Sequence, residues 1–324
     1  MRTLKVICLV ICLAVYIGIG GCGGGGGRSS HSGSAVNTII EGVVHKGALG
    51  TGHIIIYKPN AAGFRLTEIK RTTTDNFGHF KANLGLYNGP IILHAISGSY
   101  PDEANGGQWW LENFVEEVDS DGFITTESLG CVVPHVENGT NMVAITMLTD
   151  ISEILSLVLE MNNIEYDLAI RMANDMVSEY FGFDIVKTQP RRVTDLDGPI
   201  PYDVRSRYAL IQVGLCSIYG TLTWQIDNAL DQEIPTTNHT MVMNLLSWDI
   251  LDGDLDMGGC VINPDDDPDE QYLFTAIPVD PEEDPLVTFW PSMENYGSTD
   301  LVAHMQAWIN GAANRTGWTD AMVQ

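Results

Sequence analysis

The chain has 324 residues, of which 44% are hydrophobic, so it can bury a sizeable core and has room for two domains. Its charge is lopsided, with 42 Asp and Glu against 16 Lys and Arg and a formal net charge of −26. That balance argues against a nucleic-acid partner, which needs a basic footprint, and against attachment to anionic lipid through a basic patch.

Arg2 and Lys5 form a short basic start, and Val6 to Gly20 is an uncharged run, VICLVICLAVYIGIG. This run is short of the roughly 20 residues that cross a bilayer and has the form of the apolar region of a secretion signal. It ends at Ile19-Gly20-Gly21-Cys22. Small residues directly before a cysteine resemble the lipobox of bacterial lipoproteins. The resemblance implies cleavage before Cys22 and acylation of its thiol, giving a chain anchored in a lipid bilayer; an ordinary secretion signal with an incidental cysteine is the other reading. Residues 1–21 are then a signal peptide and residues 22–36, CGGGGGRSSHSGSAV, a Gly/Ser-rich tether. Residue 23 is Gly, not Asp. By resemblance to lipoprotein sorting in Gram-negative bacteria, this points to the outer membrane, with the body periplasmic or surface-exposed. Beyond the acylated Cys22, the expected mature domains keep Cys131, Cys216 and Cys260, an odd number that allows one disulfide or three thiols.

Residues 37–146 read as a β-rich domain. Val36 to His45, Gly52 to Lys58, Phe64 to Thr74, Gly78 to Leu84 and Pro90 to Ser97 are short, rich in β-branched residues and separated by turn residues, which predicts an antiparallel sandwich. In the turn after Thr74, Asp75 is expected to accept backbone N–H groups, Gly78 to supply a positive φ, and Phe80 to return to the core. Gly42-Val43-Val44, Gly52 to Tyr57 and Thr74-Asp75…Gly78-His79-Phe80 resemble the carboxypeptidase regulatory-like (prealbumin-like) domain. Gly89-Pro90 and Gly98 to Ala104 are similar to a branch of that family in bacterial surface lipoproteins, where a T-P-L-T segment joins the sandwich to a helical region. Thr146-Met147-Leu148-Thr149 stands at the matching place, with Met147 where the branch has proline. The resemblance implies a non-catalytic accessory domain, structural or binding. Trp109 and Trp110 adjoin Gly106-Gly107. They are weak candidates for a carbohydrate-stacking platform, the alternative being one core plug and one cover for the domain junction. Asp119-Ser120-Asp121-Gly122 predicts a hairpin turn, with the last strands at Cys131 to Val136 and Met142 to Thr146.

Residues 147–324 predict an all-α helical bundle, so the expected class is α+β. Ile151, Ile154, Leu155, Val158 and Leu159 give a first helix with Thr149 as N-cap and Asp150 in its first turn. Leu168, Met172, Met176 and Tyr180 give a second, ending near Gly182. Val204, Tyr208, Ile211, Leu215, Ile218 and Leu222 give a third. Val242, Leu245, Leu246 and Trp248 mark a fourth, and Leu301, Val302, Met305, Trp308 and Ile309 a last one, with Thr299 as cap and Gly311 past its end. Arg191, Arg192, Arg205 and Arg207 are expected to neutralise part of the acidic surface internally.

From Tyr208 through Asn314 there is no Lys or Arg and there are 18 Asp and Glu. Within this span, 252–298 reads as an acidic, Pro-rich loop. Asp249, Asp252, Asp254 and Asp256 are weak candidates for a Ca²⁺ site, because carboxylates on a Gly-containing loop can supply oxygens to that ion. Asp249, Asp252 and Gly253 also match a D-x-x-D-G stretch of the lipoprotein branch. A solvated acidic helix end and turn is the other reading, and no other cofactor is expected. No HExxH, G-x-S-x-G, P-loop or dinucleotide fingerprint occurs, and the eight histidines are scattered. The sequence therefore predicts a lipid-anchored cell-envelope module, non-catalytic, whose partner is a surface protein or polysaccharide. The alternative is an extracytoplasmic glycan hydrolase with its site at the β/α junction near Trp109 and Trp110.

Overall fold

The computed structural model describes residues 36–59, 66–102, 104, 108–112, 116–118, 124–126, 128–193, 200–229, 243, 246–247, 301–312 and 314–322. The chain is mixed α and β. Residues Val36–Gln324 belong to one compact unit. The expected signal and tether lie outside the described residues.

The strand-forming runs give β1 (Thr38–His45), β2 (His53–Pro59), β3 (Leu66–Thr73), β4 (His79–Asn83), β5 (Gly89–Ile96), β6 (Gly98–Asp102), β7 (Gln108–Glu112), β8 (Glu116–Val118), β9 (Ile124–Thr126), β10 (Leu129–Val136) and β11 (Gly139–Thr146). One sheet has the order β11-β1-β4 and another the order β10-β5-β2-β3; β6 pairs with β7, and β8 with β9. The sheets are not wholly antiparallel as the sequence suggested. β1 runs parallel to β11, Thr38 opposite Gly139 through His45 opposite Thr146. Strands so far apart in sequence need no tight turn between them, and local turn signals cannot reveal such a pair.

Burial follows from the patterning. β4 alternates, with Phe80 and Ala82 inward and His79, Lys81 and Asn83 outward. In β2 and β5 nearly every residue is buried, which requires cover on both faces. Ile54, Ile56, Ile91 and Leu93 meet Ile40, Val44, Val143 and Ile145 in the main core, while Ile55, Tyr57, Ile92 and Val132 meet Tyr166 and Ile170 in a second cluster. Gly42 is required in β1, because a Cβ there would collide with the Phe80 ring and the Val143 carbonyl. The turn after Thr74 forms as expected. Asp75 Oδ1 accepts from the N–H of Phe77 at 2.8 Å and of His79 at 2.9 Å, Gly78 has φ +80°, and Phe80 is buried.

The helices are α1 (Met147–Met161), α2 (Tyr166–Phe181), α3 (Val204–Ala229) and α4 (Leu301–Asn310), with a 3₁₀ turn at Asp320–Met322. β11 passes into α1 without a linker. The N-cap is Thr146, not the expected Thr149; Thr149 is the third residue of the helix and completes a capping box with Thr146. In α2 the buried stripe is Ala169, Ile170, Ala173 and Val177 rather than the expected Leu168, Met172, Met176 and Tyr180. Leu168, Met172 and Met176 are half-buried and Tyr180 is exposed. Gly182 ends α2 in the left-handed conformation, φ 71°. In α3, Tyr208, Ile211, Leu215 and Ile218 are buried as predicted, whereas Val204 is exposed. Gly214 lets α4 cross closely, since a Cβ there would press on Leu301 and Met305. Of the expected fourth helix, Met243, Leu246 and Ser247 are described, helical and buried. The main core continues from the strands through Leu148, Ile151 and Leu155 of α1 to Tyr208 of α3 and Trp308 of α4. Among the described residues no helix is long and apolar enough to cross a membrane.

Candidate functional site

Most residues singled out in the sequence fall outside the described set. Cys22 does, as do Asp249, Asp252, Asp254 and Asp256 with the whole 252–298 loop. Trp109 and Trp110 are placed through their backbone only, in β7, opposite Pro101 and Tyr100 of β6. The hairpin expected around Asp119–Gly122 is flanked by the paired β8 and β9, its turn residues lying outside the described set. Cys131 is a buried free thiol, Cys216 is half-buried with its Sγ 3.8 Å from Met147 Sδ, and Cys260 lies outside the described set. Among the described residues, no group of three or more His, Cys, Asp and Glu side chains is placed to hold a metal ion.

The described residues do converge on a polar seam between β10, β5 and the first two helices. β10 is an edge strand, and its outward backbone groups need partners once helices cover them. Helix side chains supply them. Asp150 Oδ1 accepts from Gly130 N–H at 2.6 Å, Thr149 Oγ1 donates to Gly130 O at 2.8 Å, and Asn174 Nδ2 donates to Val132 O at 3.0 Å. Ser152 Oγ donates to Asn174 Oδ1 at 2.7 Å and fixes that amide. α1 is therefore buried on its polar side as well as its apolar one, which its hydrophobic spacing does not announce.

Beside this edge, His94 Nε2 lies 2.7 Å from Glu153 Oε1, the two side chains 8% and 14% exposed. Glu153 occupies the space over Gly130, where any Cβ would collide with its carboxylate and that of Asp150. The edge of the His94 ring meets Tyr57, with centroids 5.4 Å apart at 65°. The Tyr166 hydroxyl and Glu153 Oε2 are buried without a hydrogen-bond partner among the described residues. Burial first, then the charges of Glu153 and Glu160, pushes the Tyr166 hydroxyl far above the ordinary tyrosine range. Burial, reinforced by Glu153, likewise keeps the Cys131 thiol protonated. A carboxylate–imidazole pair can store and relay a proton. Here it is closed beneath helices, with Glu153 packed directly on the sheet, so its visible work is to hold α1 against β5 and β10. The pair escapes sequence reading because its members are 59 residues apart. The available signal was a histidine inside the apolar run Ile91-Ile92-Leu93-His94-Ala95-Ile96, which needs a buried partner.

A second polar group gathers where β1 ends. His45 is fully buried, and burial first, then the nearby Arg192 guanidinium, lowers its pKa to about 4. Lys46 is 3% exposed, and its ammonium lies 3.6 Å from the centroid of the Tyr219 ring, with Tyr100 at 5.8 Å. Arg192 lies over the Phe77 ring at 5.1 Å. The expected internal neutralisation is visible at Arg191, whose Nη2 meets Asp203 Oδ2 at 2.5 Å and holds that carboxyl well below its ordinary range. Asp203 also accepts from Ser206 N–H at 2.9 Å and caps α3. Arg207 donates to the carbonyls of Phe181 and Gly182 at the end of α2, and Arg205 to that of Gln189. These arginines serve helix ends and loops of their own chain. On α3 and α4, Ser217 Oγ and His304 Nδ1 are 2.7 Å apart and half-buried.

No family model matches the sequence, and no curated protein matches it. Among solved structures, a 9R-lipoxygenase from Cyanothece PCC8801 is similar over 44% of this chain and 22% of that one, at 9% identity and a TM-score of 0.21. The similarity spans less than a quarter of that enzyme's length, and a superposition of this quality carries no argument about fold or activity.

Proposed function

We propose that this chain is a membrane-tethered, non-catalytic module of a bacterial cell envelope. Residues 37–146 form a prealbumin-like β-sandwich, residues 147–324 a helical bundle packed on it, and acylated Cys22 anchors the whole in a lipid bilayer, in the outer membrane by the identity of residue 23. The observation that carries this reading is the order basic start, uncharged run, Gly20-Gly21-Cys22 and glycine tract. Two or three acyl chains give stable anchoring where one gives marginal binding. The sandwich reading is supported by seven strands in two sheets that contribute to one core. The non-catalytic reading is supported by the buried His94–Glu153 pair, whose groups are committed to packing.

A surface protein or polysaccharide is the proposed partner, and Ca²⁺ at Asp249, Asp252, Asp254 and Asp256 the proposed stabilising ion. Mass spectrometry of the mature N-terminus is the direct test: a diacylated or triacylated Cys22 is expected. Cys22→Ser should move the protein from the carbonate-washed membrane fraction to the soluble one. An unmodified N-terminus, or a Cys22→Ser protein that stays with the membrane, overturns the reading. Glycan hydrolysis that is lost on changing one carboxylate would replace it with the enzyme alternative.

A further inference from the structure

We propose that the end of the strand region where the chain enters β1 rests on the bilayer, with Val36 and Leu86 in contact with lipid. This rests on the anchoring at Cys22 and adds an orientation to it. The entry point is pinned by hydrogen bonds to two turns. Thr38 N–H donates to Gly85 O at 2.6 Å and Thr38 Oγ1 to Tyr87 O at 2.5 Å, while Gly139 N–H donates to Asn37 O at 3.0 Å. The first residues of β1, the β4–β5 turn and the β10–β11 turn therefore share one end of the sheets.

Two apolar side chains stand out there, Val36 at 58% and Leu86 at 65% exposure. They are the most exposed large hydrophobic residues among those described. Their exposed neighbours are Asn37, Asn83, Asn88 and Asn138, and Glu137 is the one charged residue in these turns. In a chain with 42 acidic residues, a nearly uncharged end removes the repulsion that an anionic surface would otherwise exert. Asp167, at the start of α2, is a further acid close enough to act on Tyr87 of the β4–β5 turn.

The length of the preceding chain selects the bilayer as the occupant. Fourteen positions separate Cys22 from Val36. As the Gly/Ser-rich tether of the proposed function, this segment would have a root-mean-square span of about 20 Å. A compact body of this size is on the order of 45 Å across. A leash shorter than the body is wide keeps its attachment end toward the surface, and the exposed Val36 and Leu86 are at that end.

The test uses the full acylated chain in vesicles of phosphatidylethanolamine and phosphatidylglycerol, 3:1, with part of the lipid brominated on its acyl chains. An environment-sensitive fluorophore is attached at Asn88→Cys, beside the proposed contact, or at Thr73→Cys, at the far end of β3. Both are made in a Cys216→Ser, Cys260→Ser background. Quenching at position 88 is expected to exceed that at position 73 at least threefold and to persist in 0.5 M NaCl, because the contact is apolar. Val36→Asp with Leu86→Asp should make the two positions equal while the protein still floats with the vesicles. Equal quenching in the parent chain, with flotation intact, overturns the orientation and leaves the anchor standing. Failure to float, with Cys22 unmodified, overturns the anchor and the orientation together.

Discussion

His45 makes the stability of this protein dependent on acid, with a sign and size fixed by its surroundings. In the folded chain its pKa lies at about 4, against 6.5 for an ordinary histidine, because burial and then Arg192 penalise the imidazolium. The unfolded chain binds a proton here between pH 6.5 and 4 and the folded chain does not, so this group favours folding above pH 6.5 and the advantage is lost as pH falls toward 4. At about 1.4 kcal/mol per pKa unit, the loss is about 2 kcal/mol by pH 5 and on the order of 3 kcal/mol near pH 4. His45→Gln removes the titration while keeping a polar group of similar size. It is expected to lower stability by a constant amount and to flatten the pH dependence. Urea unfolding of both proteins at pH 7.5 and pH 5.0 measures this directly: the parent should lose about 2 kcal/mol more than the variant over that interval. Equal losses would refute the reasoning, as would an NMR titration showing His45 protonated in the folded chain at pH 5.5.

Gly130→Ala forces a methyl group into the carboxylates of Glu153 and Asp150 and should destabilise the protein by about 2–3 kcal/mol in urea. Thr146→Val removes the N-cap of α1 and the hydroxyl 2.6 Å from Tyr208 Oη, while Tyr208 still donates to Ile185 O. A loss of about 1–2 kcal/mol is expected, and no loss would show that the cap is redundant. Millimolar Ca²⁺ should raise the melting temperature and Asp252→Asn with Asp254→Asn abolish the rise; the absence of any shift in the parent rejects the ion.

The strands were legible where the physics is local. Asp75, Gly78 and Phe80 fix a turn by themselves, and the alternation in β4 reports one buried face without outside help. The parallel pairing of β1 with β11 was not legible, since it joins segments about a hundred residues apart. The start of α1 was misplaced by three residues for a related reason. Thr146 and Thr149 are both good capping residues, and in a capping box each bonds to the backbone of the other. Which one is the cap depends on where the strand stops, and the parallel pairing of β11 decides that.

The same dependence explains why the polar seam stayed hidden. Thr149, Asp150, Ser152 and Asn174 read as ordinary polar helix positions. They are buried because β10 ends its sheet, and its backbone would otherwise have buried groups without partners. Covering that edge with helices that carry short polar side chains satisfies the Gly130 N–H and the Gly130 and Val132 carbonyls and so blocks this stretch of β10 to another chain. His94 and Glu153 then add a direct contact between β5 and α1 at the same place. If the seam serves to protect the edge, Asn174→Leu should have two consequences: loss of stability, and a rise in aggregation out of proportion to that loss, because the Val132 carbonyl becomes available. Light scattering at matched unfolded fractions separates the two. Aggregation that merely tracks stability would leave the seam as packing alone.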